Sequence, residues 1–275
     1  MNIFICGDLH GSVRTIYNFY INHIKDTSRE QEENWILLLG DVGALYYLDE
    51  RDTKFKQDLS KFPFKYFCVR GNHEERASNR AMVEPDLWEE VGCFGNTCLR
   101  QFAFPNIYYA KDEGGIYNID GRKTLVLPGA YSVDKWYRIE RGWTWFADEQ
   151  LTLRERQNLE DLIDGQHFDL ILSHTCPYSK MPTDLFLNFI DQSTVDNSME
   201  RWMDRLDRPD SAITYNLWCW GHFHADRIEA PGCEMFLCEI EDLRDIENRW
   251  REYDKTGKLD WWLPLSPLMK RIMED

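Results

Sequence analysis

Five short apolar runs each end at a small or turn-forming residue that is followed by side chains able to hold a metal ion. These places are Asp8-x-His10, Gly40-Asp41, Gly71-Asn72-His73, Ser173-His174 and Gly221-His222-x-His224. They contain five of the seven histidines, and only His23 and His167 lie elsewhere. One histidine alone is more often a core or surface residue, but five at such positions favour a metal site. Because open α/β sheets place ligands at the carboxyl ends of their strands, we expect the loops to converge.

The types of these side chains indicate which ions they would hold. Carboxylate, amide and imidazole donors together suit Mn²⁺, Fe, Zn²⁺ or Ni²⁺ better than Mg²⁺ or Ca²⁺, and we favour Mn²⁺. One carboxylate can bridge two ions about 3.5–4 Å apart. Two divalent ions, Asp8, Asp41 and a bridging hydroxide sum to about +1, a charge that attracts phosphate. The expected chemistry is attack of a metal-bound hydroxide on phosphorus.

The elements that must position these residues alternate between strands and helices, which predicts an α/β fold. Strands are predicted at 2–6, 35–39, 64–69, 168–172, 217–220 and 233–238, with the last closing a sheet, and a hairpin at 115–119 and 123–127 around Asp120-Gly121. Helices are predicted after Ser12 as N-cap, at 151–163 and near 240–253. Residues 128–148 show no clean period, and such a long segment is more often functional than idle.

Composition narrows the class of protein. The chain has 275 residues, of which 43% are hydrophobic and 14% aromatic, and this excludes intrinsic disorder. No apolar run approaches the length of a membrane span, and the N-terminus does not resemble a signal peptide. Eight dispersed cysteines are typical of reduced thiols in a cytoplasmic protein. A net charge of −16 makes bulk nucleic acid and anionic lipid unfavourable partners.

The motifs GDLHG, GD, GNHE, SH and GHFH, in this order, resemble those of the calcineurin-like metallophosphoesterases. The resemblance implies a four-layer α/β sandwich of two mixed β-sheets flanked by helices, over residues 1–240. Residues 241–275 are then expected to be a charged, Trp-containing extension packed on that domain. Motif by motif, the resemblance assigns Asp8, His10 and His224 to one ion, Asn72, His174 and His222 to the second, Asp41 as the bridge and His73 as the catalytic acid.

Two further segments sharpen the resemblance. Residues 129–150 (GAYSVDKWYRIERGWTWFADEQ) and 190–198 (IDQSTVDNS) are similar to bacterial and phage-type members of the family whose substrate is poorly defined. Ser/Thr protein phosphatases carry GDxxDRG at the second motif, where the later Asp supports the catalytic His and the Arg binds phosphate. Here Ala44 and Leu45 stand at those positions. A protein phosphatase is therefore less favoured, and the group that orients His73 is left open.

Candidate substrate-binding residues lie outside the ligand motifs. Arg138 and Arg141 follow a predicted strand, and with Tyr131 they could clamp a phosphate and stack on a base. The alternative is a packed surface loop with snorkelling arginines. Arg76 flanks the GNHE motif and could also reach phosphate. A homodimer through Trp250, Trp261 or Trp262 is a further possibility.

The sequence thus predicts a two-metal phosphoester hydrolase with a small phosphorylated substrate. A phosphodiesterase acting on a small nucleotide or related diester is favoured. The alternative is a phosphomonoesterase, including a Ser/Thr-type protein phosphatase. A scaffold without catalysis is disfavoured because all eight positions of the ligand set and the catalytic histidine are filled.

Overall fold

Two β-sheets pack face to face in the computed structural model, which describes residues 1–186, 190–208, 211, 213–259 and 263–274. The strands are β1 (Asn2–Cys6), β2 (Asn34–Leu38), β3 (Lys65–Cys68), β4 (Trp88–Cys93), β5 (Asn96–Gln101), β6 (Ile107–Tyr109), β7 (Gly115–Ile119), β8 (Arg122–Leu127), β9 (His167–Ser173), β10 (Thr214–Trp220), β11 (Arg227–Ala230), β12 (Cys233–Met235) and β13 (Ile240–Asp242). The helices are α1 (Arg14–Phe19), α2 (Glu50–Leu59), α3 (Ala77–Val83), α4 (Lys135–Arg141), α5 (Leu153–Ile163), α6 (Ser198–Leu206), α7 (Leu243–Thr256) and α8 (Pro267–Glu274).

Both sheets are mixed. The first has the order β13-β1-β2-β3-β6-β5-β4, and its central strands β1, β2, β3 and β6 are parallel. The second has the order β11-β12-β10-β9-β8-β7, with β8, β9, β10 and β12 parallel. Antiparallel strands form the edges of each sheet. The predicted α/β class with two mixed sheets is confirmed.

The alternation of side chains along the strands divides the core into three apolar layers. Ile3 and Ile5 of β1 pack with Leu170 of β9 between the sheets. Phe4 and Cys6 point the other way, toward α1 and α2. On the far side, the outer face of the second sheet packs against α5 and α6. The order is therefore helix, sheet, sheet, helix, which is the four-layer sandwich that the resemblance implies.

Several local predictions need correction. Ser12 is not the N-cap, because α1 begins after Val13 and continues as one π-helical turn over Tyr20–Ile24. The strand predicted at 233–238 is the shorter β12, which lies between β10 and β11 instead of closing the sheet. Within residues 128–148, which showed no period, the chain forms α4.

The C-terminal segment is part of the sandwich from its first residues onward. Strand β13 pairs antiparallel with β1 at the edge of the first sheet, across the boundary predicted at residue 240. In α7, Trp250 is buried and its Nε1 donates a hydrogen bond to Glu234 Oε1 at 2.6 Å. Trp250 is therefore not exposed for the homodimer contact that the sequence left as a possibility, while Trp261 and Trp262 lie outside the described residues.

Two findings bear on the environment of the chain. Among the described residues, no helix is both long and apolar enough to cross a membrane. All eight cysteines are free, and only Cys238 is exposed.

Candidate metal centre

Side chains from the ends of β1 and β10 form the first group of donors. Asp8 and His10 follow β1, and His224 follows β10 in the other sheet. The Nε2 atoms of His10 and His224 are 2.9 Å apart, and Asp8 Oδ2 lies 3.7 Å from His224 Nε2. All three donor atoms lie within 4.8 Å of one another. A carboxylate and two imidazoles at this spacing can share one transition-metal ion.

The second group comes from the loops after β3, β9 and β10. Asn72 Oδ1 is 2.9 Å from His174 Nε2, and the His222 ring centroid is 5.0 Å from that of His174. Asp41 lies between the two groups, because its Oδ1 is 3.4 Å from His174 Nε2 and it also lies within 4.8 Å of a His10 donor atom. The structure thus brings all seven predicted ligands together, with Asp41 close to donors of both groups.

Backbone strain is concentrated at these ligands. Of the eight non-glycine residues with positive φ in the described part of the chain, four are predicted ligands: His10 (46°), Asp41 (45°), His222 (71°) and His224 (55°). Left-handed backbone at such residues is uncommon and unfavourable unless the surroundings hold it. The backbone at these strand ends is therefore locally unfavourable, and it is this conformation that positions the donor atoms around the centre.

Two glycines make room for the carboxylates. A Cβ on Gly71 would lie 2.1 Å from Asp41 Oδ1, and one on Gly221 would lie 2.4 Å from Asp8 Oδ1. Neither distance is possible for real atoms, so a side chain at either position would displace a ligand. This explains why a glycine precedes Asn72 and His222 in the two motifs.

Hydrogen bonds fix which atom of each ligand faces the centre. The Leu39 carbonyl accepts from His174 Nδ1 at 2.7 Å, which leaves Nε2 free to bind a metal. Asn72 Nδ2 donates to Ser132 Oγ at 2.8 Å, and Ser132 Oγ donates to Glu149 Oε2 at 2.6 Å. This chain of bonds turns Asn72 Oδ1 toward His174.

Glu74 joins two of the ligand loops. It is buried, and its Oε1 and Oε2 accept from the backbone N–H groups of Gly43 at 3.0 Å and Gly71 at 3.3 Å. Burial raises the pKa of this carboxyl to about 7. Glu74 thereby joins, through hydrogen bonds, the loop that carries Asp41 to the loop that carries Asn72.

The electrostatics of the centre suit a cation. Burial raises the pKa of Asp8 to about 8 and lowers the pKa of His10 to about 4. Burial opposes a charge on His174, but the carboxylates of Asp41 and Asp8 and the Leu39 carbonyl together outweigh burial and raise the pKa of His174 to about 9. A neutral His10 offers a lone pair, and the protons on Asp8 and His174 are those that a metal ion would displace. The donor set therefore fits divalent transition-metal ions.

His73 lies at the rim of the centre beside an arginine. Its Nδ1 is 3.9 Å from Asp41 Oδ2, and Arg138 Nη2 is 2.9 Å from the same Nδ1. Arg138 is held in turn by Asp134 Oδ2 at 2.7 Å and by the Tyr46 hydroxyl at 2.8 Å. Burial lowers the pKa of His73, and the guanidinium of Arg138 lowers it further. The group facing His73, which the sequence left open, is thus an arginine.

The other candidate substrate residues fall in different places. Arg138, for which the sequence left a phosphate clamp and a snorkelling surface arginine as alternatives, is buried, and its guanidinium lies against His73. Arg141 is exposed and lies over the Tyr137 ring, 4.8 Å from its centroid. Arg76 is paired with Asp148 at 3.2 Å and with Glu155 at 2.5 Å. Tyr131 lines a cavity at the centre, whereas Arg76 and Arg141 are not brought there.

Two cavities meet at Asp41 and His73. The larger has a volume of about 510 Å³ and the smaller about 220 Å³. Apolar side chains of 181–186 and 190–195, with Val133 and Phe223, form much of the wall of the larger cavity. The smaller is lined by His10, Tyr46, Tyr47 and Arg138 together with loop glycines. A phosphorus atom at the centre would therefore have space for an organic group on either side.

Some functional residues carry little sequence signal. Glu74 completes the GNHE motif, which could have suggested its role. Ser132 and Glu149 lie in the segment 129–150 that stood out for its composition. Nothing in the sequence distinguishes Glu200, which the structure places in the wall of the larger cavity.

The α/β sandwich and its cluster of carboxylate, amide and imidazole donors define a metal-dependent hydrolase. The calcineurin-like phosphoesterase family matches residues 1–226, and the chain belongs to this family. It is therefore a metal-dependent phosphoesterase of a family that uses a dinuclear centre.

Comparison with individual proteins adds little beyond the family. A solved structure of a phosphopantetheinyl hydrolase from Mycobacterium tuberculosis is 13% identical in sequence. The match covers 94% of this chain and 93% of that one, with a TM-score of 0.42. No curated protein matches the chain.

Proposed function

We propose that this chain is a two-metal phosphodiesterase that hydrolyses a small phosphodiester. The observation that carries the proposal is the meeting of two cavities at Asp41 and His73. A phosphodiester has two organic groups on one phosphorus, and each cavity can take one of them. A phosphomonoester has only one such group and would leave one cavity unused.

The charge of the larger cavity favours the same substrate class. Among its described lining residues there is no lysine or arginine, while Asp134 and Glu200 are both present. A phosphomonoester dianion calls for more positive charge than a diester monoanion does. Arg138, in the smaller cavity, already bonds to Asp134, Tyr46 and His73. The lack of a free guanidinium here also argues against a protein phosphatase.

We assign the ligands as the family motifs suggest. Asp8, His10 and His224 would hold one ion, Asn72, His174 and His222 the second, and Asp41 both, with Mn²⁺ the preferred metal and Fe, Zn²⁺ or Ni²⁺ the alternatives. Two such ions supply an activated nucleophile and neutralise the phosphate oxygens. His73 donates a proton to the leaving oxygen. Arg138 is a positioning residue that holds the His73 ring beside the centre.

The larger cavity suits a small nucleotide as one form of substrate. Tyr131, Phe186 and Phe223 line it and offer aromatic faces on which a base can stack. Its volume of about 510 Å³ lies within the usual range for small-molecule sites.

The experiment compares bis(4-nitrophenyl) phosphate with 4-nitrophenyl phosphate on the Mn²⁺-loaded protein. We expect kcat/KM to favour the diester by about tenfold or more, about 1.4 kcal/mol in transition-state binding. A preference for the monoester would establish the phosphomonoesterase alternative, and phosphate release from a phosphopeptide at a comparable rate would establish the protein phosphatase. Asp41→Asn serves as the control and should lose activity on every substrate.

Three further proposals concern the whole chain. The free, mostly buried cysteines fit a reducing compartment, as in the cytoplasm. A homodimer is a separate proposal, to be tested by light scattering. We also keep the division into a domain of residues 1–240 and an extension of residues 241–275, whose removal should expose the β1 edge.

A further inference from the structure

Glu200 is a buried carboxylate with one oxygen unused. It lies in the first turn of α6, its residue exposure is 3%, and it lines the larger cavity. Its Oε1 accepts a hydrogen bond from Thr175 Oγ1 at 2.8 Å. Its Oε2 is buried and has no hydrogen-bond partner among the described residues. A buried carboxylate oxygen without a partner is unfavourable, so its presence needs a reason.

The surroundings of Glu200 do not supply that reason. Arg156 is the cation near it, but Arg156 donates its hydrogen bonds to Leu151 O at 3.0 Å and Ser198 O at 3.0 Å. Burial raises the pKa of Glu200 to about 7. The carboxyl is therefore not held as part of an ion pair within the described structure.

Glu241 shows what a structural carboxylate of the same kind looks like. It too is buried, has one unpartnered oxygen and has a pKa that burial raises to about 7. Its second oxygen, however, pairs with Arg249 at 3.0 Å, and it does not line the larger cavity. Glu200 differs because it has no such cation and belongs to the wall of a space large enough for a ligand, with its unpartnered oxygen covered by that wall.

Much of the wall beyond the metal centre is apolar. It includes Met181, Leu185, Phe186, Val195 and Phe223. The same cavity reaches the predicted ligands Asn72 and His222. A ligand that fills it would place an apolar body along the wall, a phosphate at the centre and one polar group at Glu200.

We propose that Glu200 is a specificity residue: when substrate binds, its carboxylate turns from behind the wall toward the cavity, and the oxygen that has no partner accepts a hydrogen bond from a nitrogen donor on the substrate. The substrate is then a phosphodiester in which one organic group is an apolar ring or chain carrying an amine or another N–H donor. This inference rests on the proposed phosphodiesterase function and names the chemistry of its substrate. The other organic group occupies the smaller cavity.

The test uses two 4-nitrophenyl diesters of matched shape. The second ester group is 3-(aminomethyl)phenyl in one and 3-ethylphenyl in the other, so that they share a shape and differ in the nitrogen donor and the positive charge that it carries. We expect the Mn²⁺-loaded protein to prefer the amine in kcat/KM by about tenfold or more, as a hydrogen bond to a charged group would give. Glu200→Gln should remove most of this preference, whereas the matched variant Glu241→Gln should keep it.

The outcomes separate the two proposals. Hydrolysis of neither diester would overturn the phosphodiesterase function itself. Hydrolysis of both at equal kcat/KM would overturn only the role of Glu200, and so would an unchanged preference in Glu200→Gln. If Glu200→Gln does not fold, as judged by its Tm and metal content, Glu200→Asp replaces it. Glu200→Asp keeps the negative charge, but its shorter side chain places the carboxylate farther from the substrate, so we expect an intermediate preference for the amine. A preference as large as in the wild type would contradict the proposal.

Discussion

The metal centre and the wall of the larger cavity are built in opposite ways. At the centre, the ligands follow strands of both sheets, and side chains such as His174 and Asn72 are oriented by paired polar atoms. The wall comes largely from described residues of 181–186 and 190–195 and from the first turn of α6. It is mostly apolar, and the buried carboxylate Glu200 in it has an oxygen with no partner among the described residues.

This difference separates chemistry from substrate choice. A metal-binding side chain such as Asp41 has little room to move, because the neighbouring strand-end loop leaves no space even for a Cβ at Gly71. A wall residue can change without touching the centre. We therefore expect substitutions at the centre to abolish activity on all substrates, and substitutions in the wall to change the preference among them.

The largest effect is expected at the bridge between the two groups of donors. Asp41→Asn removes the charge that would be shared by both ions, so activity should fall by about 10³-fold or more on every diester. Chelation should likewise inactivate the protein, and Mn²⁺ should restore it. Metal content by mass spectrometry and steady-state rates check both points. Full turnover in excess chelator, after verified metal removal, would refute a metal-dependent centre.

His73→Ala should have the next largest effect. His73 is predicted to donate a proton, so its loss should lower kcat by about 10²–10⁴-fold for a poor leaving group. The loss should shrink for 4-nitrophenolate, which leaves without a proton.

Metal content distinguishes this role from that of a ligand. His73 lies close to both Asp41 and His10, and these three donor atoms are within 4.8 Å of one another. A proton donor can be removed while about two ions stay bound. If His73→Ala instead lost one ion, His73 would be a ligand and its predicted role would be wrong.

Arg138→Ala and Arg141→Ala form a matched pair on one helix. Arg138 is buried against His73, whereas Arg141 is exposed and lies outside both cavities. Arg138→Ala loses a charged hydrogen bond worth about 1.5–3 kcal/mol, so kcat should fall by about tenfold or more. Its Tm should also fall, because Tyr46 and Asp134 lose their partner. Arg141→Ala should stay within about twofold, as surface changes usually do.

Leaving-group dependence shows how Arg138 acts. If it positions His73, its effect should shrink with 4-nitrophenolate in the same way as that of His73→Ala. An equal loss for good and poor leaving groups would point instead to direct contact with phosphate. An Arg141→Ala defect confined to nucleotide substrates would restore the substrate role first suggested by the sequence.

The residues of the predicted centre, which the structure brings together, could be picked out from the sequence because their signals are local. Each ligand directly follows a short apolar strand, and the strand period and the glycines are visible in the chain. The family resemblance then ordered the ligands into two groups. The hairpin was equally visible in the sequence, because Asp-Gly is a typical two-residue turn. In the structure both turn residues, Asp120 and Gly121, have the positive φ that such a turn requires.

The parts that were missed depend on contacts between distant residues. Arg138 meets His73 across 65 positions, and Asn72 meets Ser132 across 60, with no periodicity to announce either contact. Trp250 looked like a surface residue in a charged segment, but its partner Glu234 lies in another strand. The unpaired oxygen of Glu200 is a property of the packed cavity and leaves no trace in the local sequence.

The smallest effect is expected in the wall of the larger cavity. Leu185 lines it and is 42% exposed, whereas Leu153 is 81% exposed and lies on α5 away from it. Leu185→Ala removes apolar surface that a bound organic group would cover, about 1 kcal/mol for a partly buried leucine. We therefore expect kcat/KM on an aryl diester to fall by about fivefold for Leu185→Ala and not for Leu153→Ala. Metal content and kcat on dimethyl phosphate, which does not reach the wall, should be unchanged in both variants. If Leu185→Ala lowered the rate on dimethyl phosphate as much as on the aryl diester, the wall would act on the centre itself, and the separation between chemistry and substrate choice would not hold.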